Sequence, residues 1–279
     1  MGAKESNHFE FVNAGSDGRA KVLKALMSDF SYARHAHEEL AVGVTMEGVQ
    51  EFSSRGCQHR SCPGDIILFN PDDVHNGNPG SREPLKYTML YLDTEDFYPL
   101  FWSATGSQHA QFPVFETHFK DHTLASLILE MSRLVSDGKG LSVEYEQYRY
   151  QIAKRLAQRV HMTRDDIWMP QKDSLLRRVR DYIHDKIKDD ISVDDLSFVA
   201  GVSKYHFIRM FRSQFGMTPH QYILNLKVNR AQGYLETGML PSDVAQEFGF
   251  FDVSHLNRHF KRATGLTPKQ YQLQLTSLN

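Results

Sequence analysis

The residues whose types and spacing could do chemistry fall into three groups. The first is His35-Ala36-His37 with a third histidine at His75. A His-x-His pair on a strand points both rings to one side, which suits a metal or a polar ligand at a pocket rim. The second is Cys57-Gln58-His59-Arg60-Ser61-Cys62. Two cysteines are too few for a disulfide framework, and this pair is expected to be packing at a hairpin rather than a redox clip. The third is a set of basic and polar residues near the C-terminus, Lys204, Arg209 and Arg212, then Arg258 and Lys261. No Ser/His/Asp arrangement, glycine-rich phosphate loop or paired carboxylates stand out, so no enzyme is expected.

The elements that must position these groups can be read along the chain. The 279 residues suggest about two domains. The formal charge of -2 is unevenly spread. From Lys172 onward there are 15 Lys and Arg against 11 Asp and Glu; residues 1–171 carry 17 against 23. A basic C-terminal part points to an acidic partner. No run of 18 apolar residues exists, and the N-terminus lacks a signal-peptide pattern, so no membrane role is expected and the location is expected to be cytoplasmic. Residues 1–28 read as an irregular arm or lone edge strand. Short strands then follow at Leu40–Met46, Val49–Arg55, Ile66–Phe69 and Leu85–Leu92, with Gly/Pro turns between, as in a sandwich or barrel. From about Asp121 the period becomes helical, with one helix stopped by Gly138 and Gly140 and a second over Val143 to Met162.

The C-terminal part contains a gapless repeat with an offset of 49. His206-Phe207-Ile208-Arg209-Met210-Phe211-Arg212 lies over His255-Leu256-Asn257-Arg258-His259-Phe260-Lys261. Gly216-Met217-Thr218-Pro219-His220-Gln221-Tyr222 lies over Gly265-Leu266-Thr267-Pro268-Lys269-Gln270-Tyr271. A duplicated supersecondary unit follows. In the first unit Ser192 and Asp195 resemble a capping box, Gly201 turns the chain, and Ser203 caps a second helix. That helix buries Phe207, Met210, Phe211 and Phe215 and presents Lys204, Tyr205, Ile208, Arg209 and Arg212. In the second unit Asp252 caps, Leu256, Phe260 and Ala263 go inward, and Val253, Ser254, Asn257, Arg258 and Lys261 go outward. Each unit is a helix-turn-helix. One helix, Pro219 to Glu236, joins them and spans roughly 27 Å. That separation suits successive major grooves, about 34 Å apart, of double-stranded DNA. The fold class is therefore α+β: an N-terminal β-barrel with trailing helices (1–162), a linker (163–173), and an all-α double helix-turn-helix domain (174–279).

The stretch Gly249-Phe250-x-Asp252-x-Ser254-x-Leu256-x-Arg258-x-Phe260-Lys261-x-x-x-Gly265-x-x-Pro268-x-x-Tyr271 resembles the AraC/XylS-type transcription regulators. It departs from the usual pattern at Leu256, where Phe is commoner, and at Gln272, where Arg often follows the tyrosine; the latter is expected to remove a phosphate contact. The resemblance implies that Tyr205, Ile208, Arg209, Val253, Ser254, Asn257 and Arg258 meet base edges. Lys204, Arg212 and Lys261 would meet phosphates. Arg209 and Arg258 could also contact nearby carboxylates. His35–Glu39 and Pro63–His75 resemble, more loosely, the cupin-like sensor of the same family. This implies an effector-binding barrel lined by His35, His37, Phe52, Arg55 and His75, and dimerising helices near 124–162. Cupin enzymes add a glutamate four or five residues after the second histidine; here Ala41 and Val42 stand there, so neither a metal nor another cofactor is expected. The implied partners are double-stranded DNA, a small-molecule effector, a second copy of the chain, and RNA polymerase if genes are activated. A cupin-type metal enzyme fused to a DNA-binding module and an effector-free regulator are the rival expectations.

Overall fold

A computed structural model describes residues 6–13, 20–105, 115–138, 142–162 and 174–276. Ten strands come first: β1 His8–Asn13, β2 Ala20–Met27, β3 Tyr32–His35, β4 Leu40–Glu47, β5 Gln50–Ser54, β6 Cys57–Ser61, β7 Asp65–Phe69, β8 His75–Pro79, β9 Leu85–Leu92 and, after α1 (Thr94–Thr105), β10 His118–Lys120. The antiparallel strands form a six-stranded sheet, in the order β1-β2-β9-β4-β7-β10, and a four-stranded sheet, β3-β8-β5-β6. Two helices follow the barrel, α2 His122–Asp137 and α3 Ser142–Met162. The proposed linker, 163–173, lies outside the described residues.

The larger sheet is buried on both faces. Leu23, Ala25, Ala41, Ile67, Phe69 and Met89 point into the barrel. Val22, Val42, Val44, Ile66, Leu68 and Leu90 lie under α1, α2 and α3. This explains why Leu40–Val44 and Ile66–Phe69 read as continuous apolar runs rather than alternating ones. Asp121 pins the outer layer. Its carboxylate accepts from Leu124 N at 3.0 Å, capping α2, and from Arg155 Nε of α3 at 2.9 Å.

Three expectations change. The described part of residues 1–28 is no arm or lone strand: β1 pairs with β2 along its whole length, His8 with Leu26 through Asn13 with Lys21. Short polar strands β3, β6, β8 and β10 and helix α1 also join the fold. The cysteines are not packing: Cys57 opens β6, Cys62 follows it, and both are exposed free thiols.

The helical part comprises α4 Ser174–Asp185, α5 Val193–Ala200, α6 Lys204–Phe215, α7 Pro219–Glu236, α8 Pro241–Glu247, α9 Val253–Thr264 and α10 Pro268–Thr276. α7 is buried on several sides, through Tyr222, Ile223, Leu226, Val228, Ala231 and Leu235, because both helix-turn-helix units pack around it. The apolar interior of the barrel runs without a break into the core of this helical part, in one cluster from Phe9 and Phe69 to Phe211 and Tyr271.

Candidate effector cavity and DNA-reading helices

The two units are built as duplicates. Ser192 and Asp195 close a capping box on α5. Thr218 and Gln221 close another on α7, and Thr267 and Gln270 exchange the same bonds 49 positions later. Gly201, at φ 65°, turns α5 into α6. Asp252 caps α9, accepting from His255 N at 2.6 Å. Ser203 occupies the cap position of α6, but its side chain makes no capping bond.

Outward on α6 stand Tyr205, 88% exposed, with Arg209 and Arg212; Ile208 is half-buried. Lys204 is exposed and pairs with Asp194 at 3.0 Å. On α9, Ser254, Arg258 and Lys261 are exposed, while Val253 and Asn257 are half-buried. Met210, expected inward, is only partly buried, as is Ala263. Among the described residues Arg209 and Arg258 make no ion pair with a carboxylate, so the structural role expected for them is not seen, and both are exposed. Gln272 has a structural place of its own. It is buried and donates to Leu235 O at 3.2 Å and Met239 O at 2.7 Å, closing the C-terminal end of α7.

The barrel grips the helical part at repeat-related points. Gly216 ends α6 and Gly265 ends α9, both left-handed at φ 70° and 83°. A Cβ on Gly216 would meet Val74 at 3.4 Å, and one on Gly265 would meet the Phe9 ring at 2.6 Å. Arg34 Nη1 donates to Gly216 O at 3.2 Å. The Gln274 side chain of α10 accepts from Phe11 N and donates to Phe9 O, at 2.9 and 2.8 Å, covering the open edge of β1. Between these points Asn225 of α7 pairs with both Ala36 N and Ala36 O, and Asn229 also donates to Ala36 O.

A cavity of about 560 Å³ remains between the barrel and α7. Barrel residues Lys21, His35, His37, Glu39 and Tyr91 form one wall; Asn229, Arg230, Gln232 and Glu236 of α7 form part of the other. Lys21 Nζ meets Glu236 Oε1 at 2.7 Å. Burial pulls its ammonium down, but the Tyr271 hydroxyl and Glu236 outweigh that and leave it well above the usual lysine range.

The three histidines do come together. His35 and His75 are cross-strand partners on β3 and β8, with ring centroids 4.3 Å apart, and His37 lies 5.0 Å from His75. His37 sits just past the end of β3, not on a strand beside His35. Each ring is oriented by its Nδ1, which meets a backbone carbonyl: Ala33 O for His35, Glu39 O for His37 and Asp73 O for His75, at 2.8, 2.9 and 2.8 Å. A carbonyl only accepts, so Nδ1 carries the proton. Burial lowers all three pKa values, that of His35 to about 4. The rings are therefore neutral near pH 7, and each Nε2 is an acceptor. Among the described residues no group of three His, Cys, Asp or Glu side chains is disposed to hold a metal ion.

Of the other residues expected to line an effector site, Phe52 and Arg55 are elsewhere. Phe52 is core, packed between Phe69 and His59. Arg55 is in the β5–β6 turn at φ 52° and pairs with Asp73 at 2.9 Å. His75 stands behind His35, stacked on Phe69 at 3.6 Å. Lys21, Glu39, Tyr91 and the α7 residues were not foreseen. The available signal was the polar series Asn225, Asn229, Gln232, Glu236, whose spacing puts one stripe on one helix face.

Comparison with known proteins fits this architecture. A helix-turn-helix domain family matches residues 196–274, and an AraC-like ligand binding domain family matches residues 25–153. The uncharacterized HTH-type transcriptional regulator YbfI of Bacillus subtilis (strain 168) is 30% identical over 236 residues, covering 84% of each chain. The chain is an AraC-family transcription regulator. The HTH-type transcriptional activator RhaR of Escherichia coli O139:H28 is 25% identical over 267 residues, 92% of this chain and 93% of that one. ToxT of Vibrio cholerae O395 has the same fold, with a TM-score of 0.62, 13% identity, and coverage of 92% of this chain and 98% of that one. In this AraC-family chain α5–α6 and α8–α9 are thus the DNA-binding units, and the barrel is the ligand-binding domain. Among the described residues no helix is long and apolar enough to cross a membrane.

Proposed function

We propose that this regulator is switched by a small molecule held in the cavity between barrel and α7, and that the barrel binds this effector without converting it. One observation carries the proposal. The cavity has one wall from the ligand-binding domain and one from the helix that joins both DNA-reading units. A ligand there contacts both, so its binding energy depends on how they are docked, which is what a switch requires. Tyr205, Ile208, Arg209, Val253, Ser254, Asn257 and Arg258 read bases, and Lys204, Arg212 and Lys261 hold phosphates. For Lys204 this means exchanging Asp194 for a phosphate. The regulator works in the cytoplasm as a homodimer through α2 and α3, where Val143 and Tyr150 are exposed, and meets RNA polymerase where it activates.

The test is footprinting of the full-length protein on its own upstream region, at two salt concentrations, with and without compounds that raise its melting temperature. The expected result is a competitor-resistant footprint of about two helical turns per protomer whose affinity or extent changes with ligand. A footprint indifferent to every stabilising ligand overturns the switch.

A further inference from the structure

The charges that line the cavity are not balanced. Lys21 is in contact with Glu236 at 2.7 Å, and Arg230 with Glu38 at 3.1 Å. Both cations are therefore already neutralised, although Lys21 also feels Glu39 at longer range. Asp93 accepts from Glu95 N and Asp96 N, at 2.8 and 3.2 Å, and so caps α1. Glu39 is left. It lines the cavity half-buried, and among the described residues its carboxylate has no hydrogen bond or ion pair. Beside it stand His35 and His37, whose Nδ1 protons are committed to carbonyls and whose Nε2 atoms can only accept. Tyr91 packs edge-on against His37 at 5.3 Å and offers an aromatic face beside the same acid.

We infer that the cavity takes a small organic cation whose charge sits on N–H donors, an ammonium or guanidinium, with Glu39 as its counter-ion and the Nε2 atoms of His35 and His37 as acceptors. A partly desolvated carboxylate without a partner is costly, and a donor-bearing cation removes that cost while supplying the protons the imidazoles lack. The aromatic faces of Tyr91 and Phe11 in the lining add cation–π attraction. A carboxylate ligand would find both cations occupied and Glu39 opposing it. A neutral polyol could satisfy the imidazoles but would leave Glu39 uncompensated. The inference rests on the cavity being the effector site.

The test uses the full-length protein near neutral pH, with putrescine, agmatine, butanediol and succinate as probes, read by titration calorimetry and thermal melting. The expected result is that putrescine or agmatine binds at least about tenfold more tightly than butanediol, and that succinate does not bind. Glu39→Gln, which keeps the backbone carbonyl that orients His37, should weaken the cationic probe by about tenfold to a hundredfold, the usual worth of a charge-assisted bond. Glu39→Asp should keep the order of preference. Tighter binding of succinate or butanediol, no binding of either cationic probe at millimolar concentration, or unchanged affinity in Glu39→Gln overturns the inference. If a non-cationic probe binds and alters the footprint, the ligand class falls while the effector site stands. If a cationic probe binds through Glu39 and the footprint does not respond, the ligand class stands and the switch falls.

Discussion

At the scale of single residues, Gly265 joins two demands. Its φ of 83° disfavours a side chain, and the Phe9 ring fills the space a Cβ would take. Gly265→Ala should lower stability by roughly 1–3 kcal/mol. Adding Phe9→Ala should recover part of this loss in a double-mutant cycle by urea unfolding, because one of the two causes is removed. The buried histidines give a second test. His35 is neutral when folded, with a pKa of about 4 against 6.5 for an ordinary histidine, so the unfolded chain takes up the proton first as pH falls. Its contribution is intact above about 6.5 and is lost as pH drops toward about 4, by at most about 3 kcal/mol and less where water reaches the ring from the cavity. His35→Gln should flatten the fall in unfolding free energy across that window relative to the parent. At the DNA surface, Arg258→Ala should cost roughly 1–3 kcal/mol on the specific site and relax preference at one base position. Lys261→Ala should weaken all sequences alike and reduce the salt slope by about one. Equal losses on specific and random DNA for Arg258→Ala, or a sequence-selective loss for Lys261→Ala, would overturn the corresponding assignment.

At the scale of elements, the caps separate bonds that exist from positions that only look right. Ser192→Ala and Thr218→Ala each remove half of a capping box and should cost about 1 kcal/mol in thermal unfolding. Ser203→Ala removes no capping bond and should stay within about 0.5 kcal/mol. Sequence spacing disclosed the helical half well because the 49-residue duplication states each turn twice, and Thr218-Pro219 fixes the start of α7. The barrel was harder. β2 buries consecutive residues, Val22 outward under the helices and Leu23 inward, so it lacks the alternation that marks a half-exposed strand. α1 contains Pro99, which argues against a helix. β6 and β8 are short and polar and hold their place by pairing with β5. The histidines of the site were legible by type. Glu39, Lys21 and the polar stripe of α7 were not, because the cavity exists only once two separately encoded parts have docked, and no local period records that docking.

At the scale of the whole molecule, one apolar cluster crosses from barrel to helices, and Asn225 and Asn229 converge on Ala36 between them. The full chain should therefore melt in one calorimetric transition. Asn225→Ala with Asn229→Ala leaves Ala36 O without these donors, and should separate the transition in two while leaving the secondary structure content unchanged. A single unshifted transition in the double variant would show that the apolar contacts alone hold the two parts together.

The pairing of Gly216 with Val74 and of Gly265 with Phe9 has a mechanical consequence. These two close contacts define a line, and a rocking of the helical part about it would disturb them least. Both contacts are at the trailing ends of α6 and α9, twelve residues or roughly 18 Å from the tips proposed to enter the groove. On the proposed reading each helix would act as a pointer held at its base, so that a small tilt there would become a displacement of its tip large enough to gain or lose a base pair's contacts.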